Sequence, residues 1–228
     1  MTVECLLYPE TELPPESLLE RARRLASSLV SDVSGRWAGA PGLLPVAGLK
    51  PGEVVVGPAM TVRTRPGDNL LVHKALDLAR PGEVLVVAAG GHTDRSILGG
   101  LMGQYARTRG IAALVVDGAV RDRSALDAYA PPVFARGLCH VGPYKDGPGE
   151  LRGVVSIAGL PVHDGDLVVG DEDGVALVPR SLAEEIITAA EAKREAEAAE
   201  RRAIEEGRWD RSWIDRVLTL RRVEVPGP

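Results

Sequence analysis

Two unbroken apolar runs constrain this chain more than any other feature. Val84-Leu85-Val86-Val87 and Ile111 to Val116 contain no polar residue, as expected of strands covered on both faces. The second run reads on into Asp117-Gly118-Ala119-Val120-Arg121-Asp122. We expect it to end in a loop that presents a guanidinium beside a carboxylate. The two groups suit opposite tasks: Arg121 can hold an anion, and Asp122 can hold a divalent cation next to it. Upstream stands Gly99-Gly100-Leu101-Met102. Helical spacing could begin at Ile97, but each glycine inside a helix would cost ~1 kcal/mol relative to alanine. The helix is therefore expected to begin near the glycines and to run to Gly110 as its C′ residue. Its unpaired N–H groups, from Gly99 to Met102, would then form an anion site on the same side.

The chain has 228 residues, enough for one large domain or a compact domain with extensions. A formal net charge of −5 fits direct nucleic-acid binding poorly, and 4% aromatic residues leave little for a single-strand stacking platform. Cys5 and Cys139 lie far apart without metal-ligand spacing and read as reduced thiols. The stretch Met1-Thr2-Val3-Glu4-Cys5 shows no basic region followed by a long apolar run, and no later segment is apolar over bilayer length. A cytoplasmic protein with no membrane partner is expected.

Pro14-Pro15 opens a helix with Leu18, Leu19, Ala22, Leu25 and Leu29 at helical spacing. A Gly/Pro-rich loop is expected from Gly35 to about Pro51. Val54-Val55-Val56 and Thr61-Val62-Arg63-Thr64 read as strands on either side of Gly57-Pro58. Pro66-Gly67-Asp68 is a turn, with Asp68 capping a helix over Leu70, Leu71, Ala75 and Leu76. Val133 to Ala135, Val154 to Ile157, Leu167 to Val169 and Val175 to Val178 read as further strands. Asp164-Gly165-Asp166 and Asp171-Glu172-Asp173-Gly174 read as turns. Ser181-Leu182-Ala183-Glu184 has the pattern of a capping box. It opens a long helix to about Glu206, ended by Gly207, and a last helix runs from about Asp210 to Leu220. Beyond Ala190 the long helix is alanine and charge, which suits a second subunit or a solvated face.

The stretch Gly99-Gly100-Leu101-Met102 … Gly118-Ala119-Val120-Arg121-Asp122 resembles the signature of the RraA-like proteins. These are the metal-dependent 4-hydroxy-4-methyl-2-oxoglutarate (HMG) aldolases and their relative, the regulator of ribonuclease activity A. The resemblance extends over Gly57-Pro58-Ala59-Met60-Thr61-Val62, Pro66-Gly67-Asp68-Asn69, Pro81 to Val87, Pro132 to Ala135, Gly147 to Glu150 and Gly165 to Val175. It implies an α/β fold of stacked β-sheets, a sandwich with flanking helices like the swivelling domain of phosphotransfer enzymes. We divide the chain into such a domain over 1–179 and a C-terminal helical extension over 180–228 at a subunit interface. The family implies a homo-oligomer, a trimer or a dimer of trimers, with active sites between subunits.

It also implies a class II aldolase that cleaves a 4-hydroxy-2-oxo acid to pyruvate with Mg or Mn, with oxaloacetate decarboxylation as a related activity. On that resemblance Arg121 takes the 2-oxo-acid end, the N–H groups of Gly99, Gly100, Leu101 and Met102 hold the carboxylate, and Asp122 holds the metal. Glu197 is matched to a glutamate that reaches the metal of the neighbouring subunit, because Lys193, Glu197, Arg201 and Gly207 follow the family spacing. Water, not a lysine Schiff base, is the implied proton carrier, and no lysine is expected in this constellation. Many relatives carry an acidic residue where this chain has Ala125, and another within the Gly-Gly position. The alternative is a non-catalytic ribonuclease-binding regulator. Those proteins tend to lack the aspartate and the long C-terminal helix, and metal dependence of any lyase activity separates the two.

Each candidate also has a structural explanation. Arg121–Asp122 could be a loop ion pair, Gly99-Gly100 a tight turn, and Glu197 an i,i+4 partner of Arg201. His92 and Asp94 are expected in a polar loop, His92 as a surface or capping residue. His140 lacks a phosphotransfer motif around it. Asp117 is expected to shape the turn through its own backbone bonds. The Asp171–Asp173 run lacks the full calcium-loop pattern and reads as a hairpin turn.

Overall fold

The computed structural model describes residues 2–223. In chain order its elements are β1 (Leu6–Leu7), α1 (Glu16–Ala22), α2 (Ser27–Val33), β2 (Leu44–Ala47), β3 (Val55–Thr64), α3 (Leu70–Leu78), β4 (Val84–Leu98) and α4 (Gly100–Thr108). They continue as β5 (Ala113–Val120), α5 (Arg123–Tyr129), β6 (Val133–Leu138), β7 (Gly149–Leu151), β8 (Val155–Ile157), β9 (Leu160–Val162), β10 (Leu167–Asp171) and β11 (Gly174–Val178). A 3₁₀ turn (Arg180–Leu182) then leads into α6 (Ala183–Glu205) and α7 (Ser212–Val217).

The two apolar runs form the centre of the sheet. β3, β4, β5 and β6 are neighbours in that order, and each adjacent pair is parallel. Both faces of these strands are covered, which explains why polar alternation is absent. Leu85, Val87, Leu114, Val116 and Val133 face a core shared with Leu71, Val72 and Leu76 of α3, Met102 and Ala106 of α4, and Leu126 of α5. The alternate residues Val84, Val86, Val115 and Phe134 face Val155, Ile157 and Val162 of β8–β9 and Val168, Val175 and Leu177 of β10–β11. The other side of β10–β11 is closed by α1, α2 and the first half of α6 through Leu18, Val30, Ile186 and Ile187. The molecule is thus a stack of helices, sheet, sheet and helices. β2 and β7 pair antiparallel at the flanks of the large sheet, and β1 pairs with β7. Among the described residues no helix is long and apolar enough to cross a membrane.

Several expectations change for physical reasons. The expected single N-terminal helix is two helices, α1 and α2, separated at Ala26, whose ψ of 147° is extended. The break is held from elsewhere in the chain. Asp171, buried in the β10–β11 turn, accepts from both the Ser27 N–H and the Ser27 hydroxyl at 2.6 Å. The two strands expected around Gly57-Pro58 are one strand, β3. Its residues Val55–Pro58 pair with β10 and its residues Ala59–Arg63 with β4. Pro58, which has no N–H, stands at the handover between the two partners. The Gly35–Pro51 loop contains β2, and β1, β7 and β9 are short strands with no sequence signal. The capping box does not form, because the 3₁₀ turn occupies its position and no side chain caps α6. The last helix is shorter than expected at both ends. Gly110 and Gly207 close their helices as expected, each with a positive φ and N–H bonds back to the last turn.

At the end of the sheet opposite the candidate site lies a buried ion cluster. Arg152 Nη1 donates to Glu83 Oε1 at 3.0 Å and to Asp164 Oδ1 at 3.1 Å, and Arg80 donates to Glu83 through its backbone and side chain. Burial alone would raise the Glu83 pKa. The bonds from Arg152 and Arg80 outweigh burial and hold it below its ordinary 4.5. Its contribution to stability is therefore complete above pH 4.5 and is lost as pH falls through the lower folded value. Arg152→Met leaves buried Asp164 without a cation and buried Glu83 with Arg80 alone, and is expected to cost about 3–5 kcal/mol. Melting temperature against pH checks this. The variant should be less stable at neutral pH and should lose less stability than the wild type as pH falls below 4.5, so that the two profiles converge in acid, and parallel profiles would contradict it.

Candidate active site

The site is assembled where two parallel strands end side by side, the position at which open α/β sheets bind ligands. Leu98 of β4 pairs with Val120 of β5, and the Arg121 N–H donates to Leu98 O at 3.0 Å. Gly99 therefore leaves one strand next to where Arg121 leaves the other. Upstream, eleven residues of β4 (Ala88 to Leu98) face only four of β5 (Asp117 to Val120), so the surplus bulges outwards. The expected polar loop with His92 and Asp94 is this bulge, counted within β4.

β5 runs to Val120, so Asp117 is a strand residue, not a turn former. Its buried carboxylate pairs with Arg136 and accepts from the Ala158 N–H at 3.3 Å. The turn itself comes at Asp122, which has φ 59° and ψ 44°. This left-handed conformation costs of order 1 kcal/mol outside glycine, and aspartate is among the residues that tolerate it. Its effect is geometric. Successive residues of a continuing strand would point to opposite faces, whereas here Arg121 and Asp122 line one cavity. The Asp122 carbonyl then accepts from Ala125 and Leu126 N–H at 2.9 and 3.0 Å and starts α5.

The helix after the glycines begins as expected, with Gly99 as N-cap and Gly100 as first residue. A Cβ on Gly99 would land on Asp122 Oδ2 and lie 3.0 Å from Arg121 Cγ. A Cβ on Gly100 would meet the Ala125 Cβ at 2.6 Å. Gly100 and Ala125 thus pack directly against each other. The expected row of donors is narrower than foreseen. The Gly100 N–H is committed to Asp122 Oδ2 at 3.2 Å. Among the described residues the N–H groups of Leu101 and Met102 have no acceptor, and both residues line the cavity.

The cavity holds about 200 Å³, and His73, Asn69 and Lys145 complete its wall. That is below the ~300–1,000 Å³ of drug-sized sites and suits a small acid. Lys145 corrects the expectation that no lysine joins the constellation. It is solvent-exposed, unlike the desolvated lysines that act as Schiff-base nucleophiles, so its contribution is charge. Partial desolvation, then the Lys145 ammonium, hold the His73 pKa below its ordinary 6.5, with Asp77 opposing. The balance favours the neutral imidazole. Asn69 is buried and donates through Nδ2 to Ile97 O at 2.8 Å, while among the described residues its Oδ1 has no partner. A buried acceptor without a partner on a cavity wall calls for a ligand or solvent donor.

Arg121 Nε stands 3.6 Å from Asp122 Oδ2, and both side chains are roughly half exposed, a pairing that adds little stability. The donor set fits a hard, largely hydrated divalent cation. Asp122 offers a carboxylate, and among the described residues no three His, Cys, Asp or Glu groups cluster as a closed site would require. Within one chain Glu197 does not line the cavity. It lies on α6 beyond Ala190, the last buried residue of that helix, and pairs with Lys193 at 3.7 Å instead of with Arg201.

The RraA-like family, described as Aldolase/RraA, matches residues 27–177. The chain is a member of the RraA-like family. A Halalkalibacterium halodurans protein provisionally named a 4-hydroxy-4-methyl-2-oxoglutarate aldolase is 42% identical over 156 residues, covering 68% of this chain and 74% of its own. A Thermus thermophilus protein named 4-hydroxy-4-methyl-2-oxoglutarate aldolase is 36% identical over 112 residues, 49% of this chain and 68% of its own. The solved structure of Streptomyces coelicolor RraAS2, described as an unusual member of the RNase ES inhibitor RraA protein family, superposes with a TM-score of 0.75 at 29% identity. It covers 84% of this chain and 98% of that one.

Gly99→Ala tests the strand-end geometry. The added methyl must displace the Asp122 carboxylate, and misplacement by about 1 Å can cost ~10²-fold in rate. If the cavity turns over a 2-oxo acid, the rate should fall by that order while the circular dichroism spectrum is unchanged. Wild-type kinetics would contradict the contact.

Proposed function

We propose that this RraA-like protein is a divalent-metal-dependent, pyruvate-forming aldolase, a carbon–carbon lyase. Its substrate is HMG or a similar 4-hydroxy-2-oxo acid, and oxaloacetate decarboxylation is a side activity of the same site. The observation that carries the reading is the convergence of Arg121, Asp122, Lys145 and the open N–H groups of Leu101 and Met102 on one small cavity. The aldolase names of the relatives support it.

The roles follow from the chemistry of each group. The Leu101 and Met102 N–H groups and the Lys145 ammonium bind the substrate carboxylate. Arg121 directs its planar fork at the 2-oxo end, where the cleaved bond leaves negative charge. Asp122 is the residue that would hold Mg or Mn. The bound cation supplies Lewis acidity toward the 2-oxo oxygen. Neutral His73 leaves the cavity's positive charge to Arg121 and Lys145. Asn69 Oδ1 accepts from a substrate hydroxyl or from water. Glu197 completes the metal surroundings from a neighbouring subunit of a trimer or a dimer of trimers.

Asp122→Asn and Arg121→Lys test this reading together. Asp122→Asn should abolish metal-dependent turnover and weaken Mn binding, read by electron paramagnetic resonance. Arg121→Lys keeps the charge and loses the fork, and should lower turnover ~10²–10³-fold. Retained activity in either variant would remove that residue from the site. For Glu197, subunits carrying Glu197→Ala are mixed with subunits carrying Asp122→Ala. Partial recovery of activity is expected, and none, with mixing confirmed, would refute the shared site.

A further inference from the structure

Lys145 enters the cavity from the irregular segment between β6 and β7, so neither helix nor strand fixes its backbone. The groups that do fix it come from Gly67-Asp68-Asn69. Before Lys145, the Tyr144 N–H donates to Gly67 O at 2.8 Å, and the Asn69 N–H donates to Tyr144 O at 3.0 Å. After Lys145, the N–H groups of Asp146 and Gly147 both donate to Asp68 Oδ2, at 2.7 and 3.0 Å. The other oxygen, Asp68 Oδ1, accepts from the Leu70 N–H at 2.9 Å, in the first turn of the helix that carries His73. The Asp68 carbonyl accepts from the Thr64 hydroxyl at 2.9 Å, at the end of β3. Asp68 is fully buried. Arg65 stands 3.2 Å from Oδ2 and also over the Tyr144 ring, which Arg95 approaches to 4.0 Å.

We propose that Asp68 is a positioning residue for the cavity: its carboxylate binds the Lys145 segment and the start of α3 into one unit, so that Lys145, Asn69 and His73 meet the first turn of α4. The proposal rests on the reading of that cavity as a 2-oxo-acid site. The requirement for aspartate is chemical. Three backbone donors from two segments converge on one side chain, and only a carboxylate accepts on both sides. Asparagine has the same shape but must turn an NH₂ toward one set of N–H groups. Glutamate would place the oxygens one methylene too far. Sequence reading finds Asp68 as a helix cap. Its hold on residues 146 and 147, almost eighty positions away, has no local signal.

The test compares Asp68→Asn, Lys145→Ala and the double variant as full-length, metal-loaded protein. Two readouts are used: steady-state kinetics with oxaloacetate and residue-level amide exchange. Lys145→Ala should raise KM roughly tenfold with kcat nearly unchanged. Asp68→Asn should do the same, expose the Asp146 and Gly147 amides to exchange, and leave β5 protected. In the Lys145→Ala background it should add less than twofold, since the group it positions is already gone. Additive losses would overturn the proposal, as would Asp146 and Gly147 amides protected as in the wild type. Asp68→Ser covers the case in which Asp68→Asn does not fold. Its hydroxyl can still accept from Leu70 but cannot bridge to both segments, so the Lys145 segment should exchange freely while α3 stays protected. A wild-type KM in that variant would refute the idea. If the wild type acts on no 2-oxo acid, the functional reading fails, while the exchange data still decide whether Asp68 joins the two segments.

Discussion

One hydrogen bond, from the Gly100 N–H to Asp122 Oδ2, joins the exits of the two central strands, and the arrangement of the site depends on it. It requires parallel strands that end in register, a glycine at position 99 to admit the carboxylate, and a left-handed aspartate to aim it. Each condition is met by a different level of structure. The register follows from the buried apolar runs, the admission from the absence of a side chain, and the aim from one residue in an uncommon conformation. The result is that a guanidinium, a carboxylate and a helix N-terminus occupy one small cavity.

The electrostatics of that cavity are asymmetric. Arg121, Lys145 and two open N–H groups favour an anion, while Asp122 alone offers negative charge. An acidic substrate with a metal at the carboxylate balances both. The buried Arg152, Glu83 and Asp164 cluster lies at the other end of the sheet and is internally paired, so it serves the fold and not the chemistry. The same division appears in α6. Its first half closes the second core through Ile186 and Ile187, and its second half buries nothing within the chain.

What could be read from sequence was what is local or periodic. Val84–Val87 and Ile111–Val116 announced doubly covered strands, the glycine pair announced a helix start, and Arg121 and Asp122 line one cavity as their adjacency suggested. The misreadings share a cause. The break between α1 and α2 is set by Asp171, 144 residues away from Ser27. Lys145, His73 and Asn69 reach the cavity from segments that the sequence separates, and Asp117 is held by Arg136 instead of by its neighbours. Asp68, expected as the cap, stands one residue before the N-cap, Asn69, where it bonds the Leu70 N–H, and it has a second set of partners that spacing does not reveal.

The central claim is that this cavity releases pyruvate from a 4-hydroxy-2-oxo acid with the help of a divalent cation. The most direct measurement is pyruvate release from racemic HMG and from oxaloacetate, in Mg, in Mn and in EDTA. The account predicts release from HMG with either metal and its loss in EDTA. Undiminished release in EDTA, or none from either acid with folded, metal-loaded protein, would contradict it.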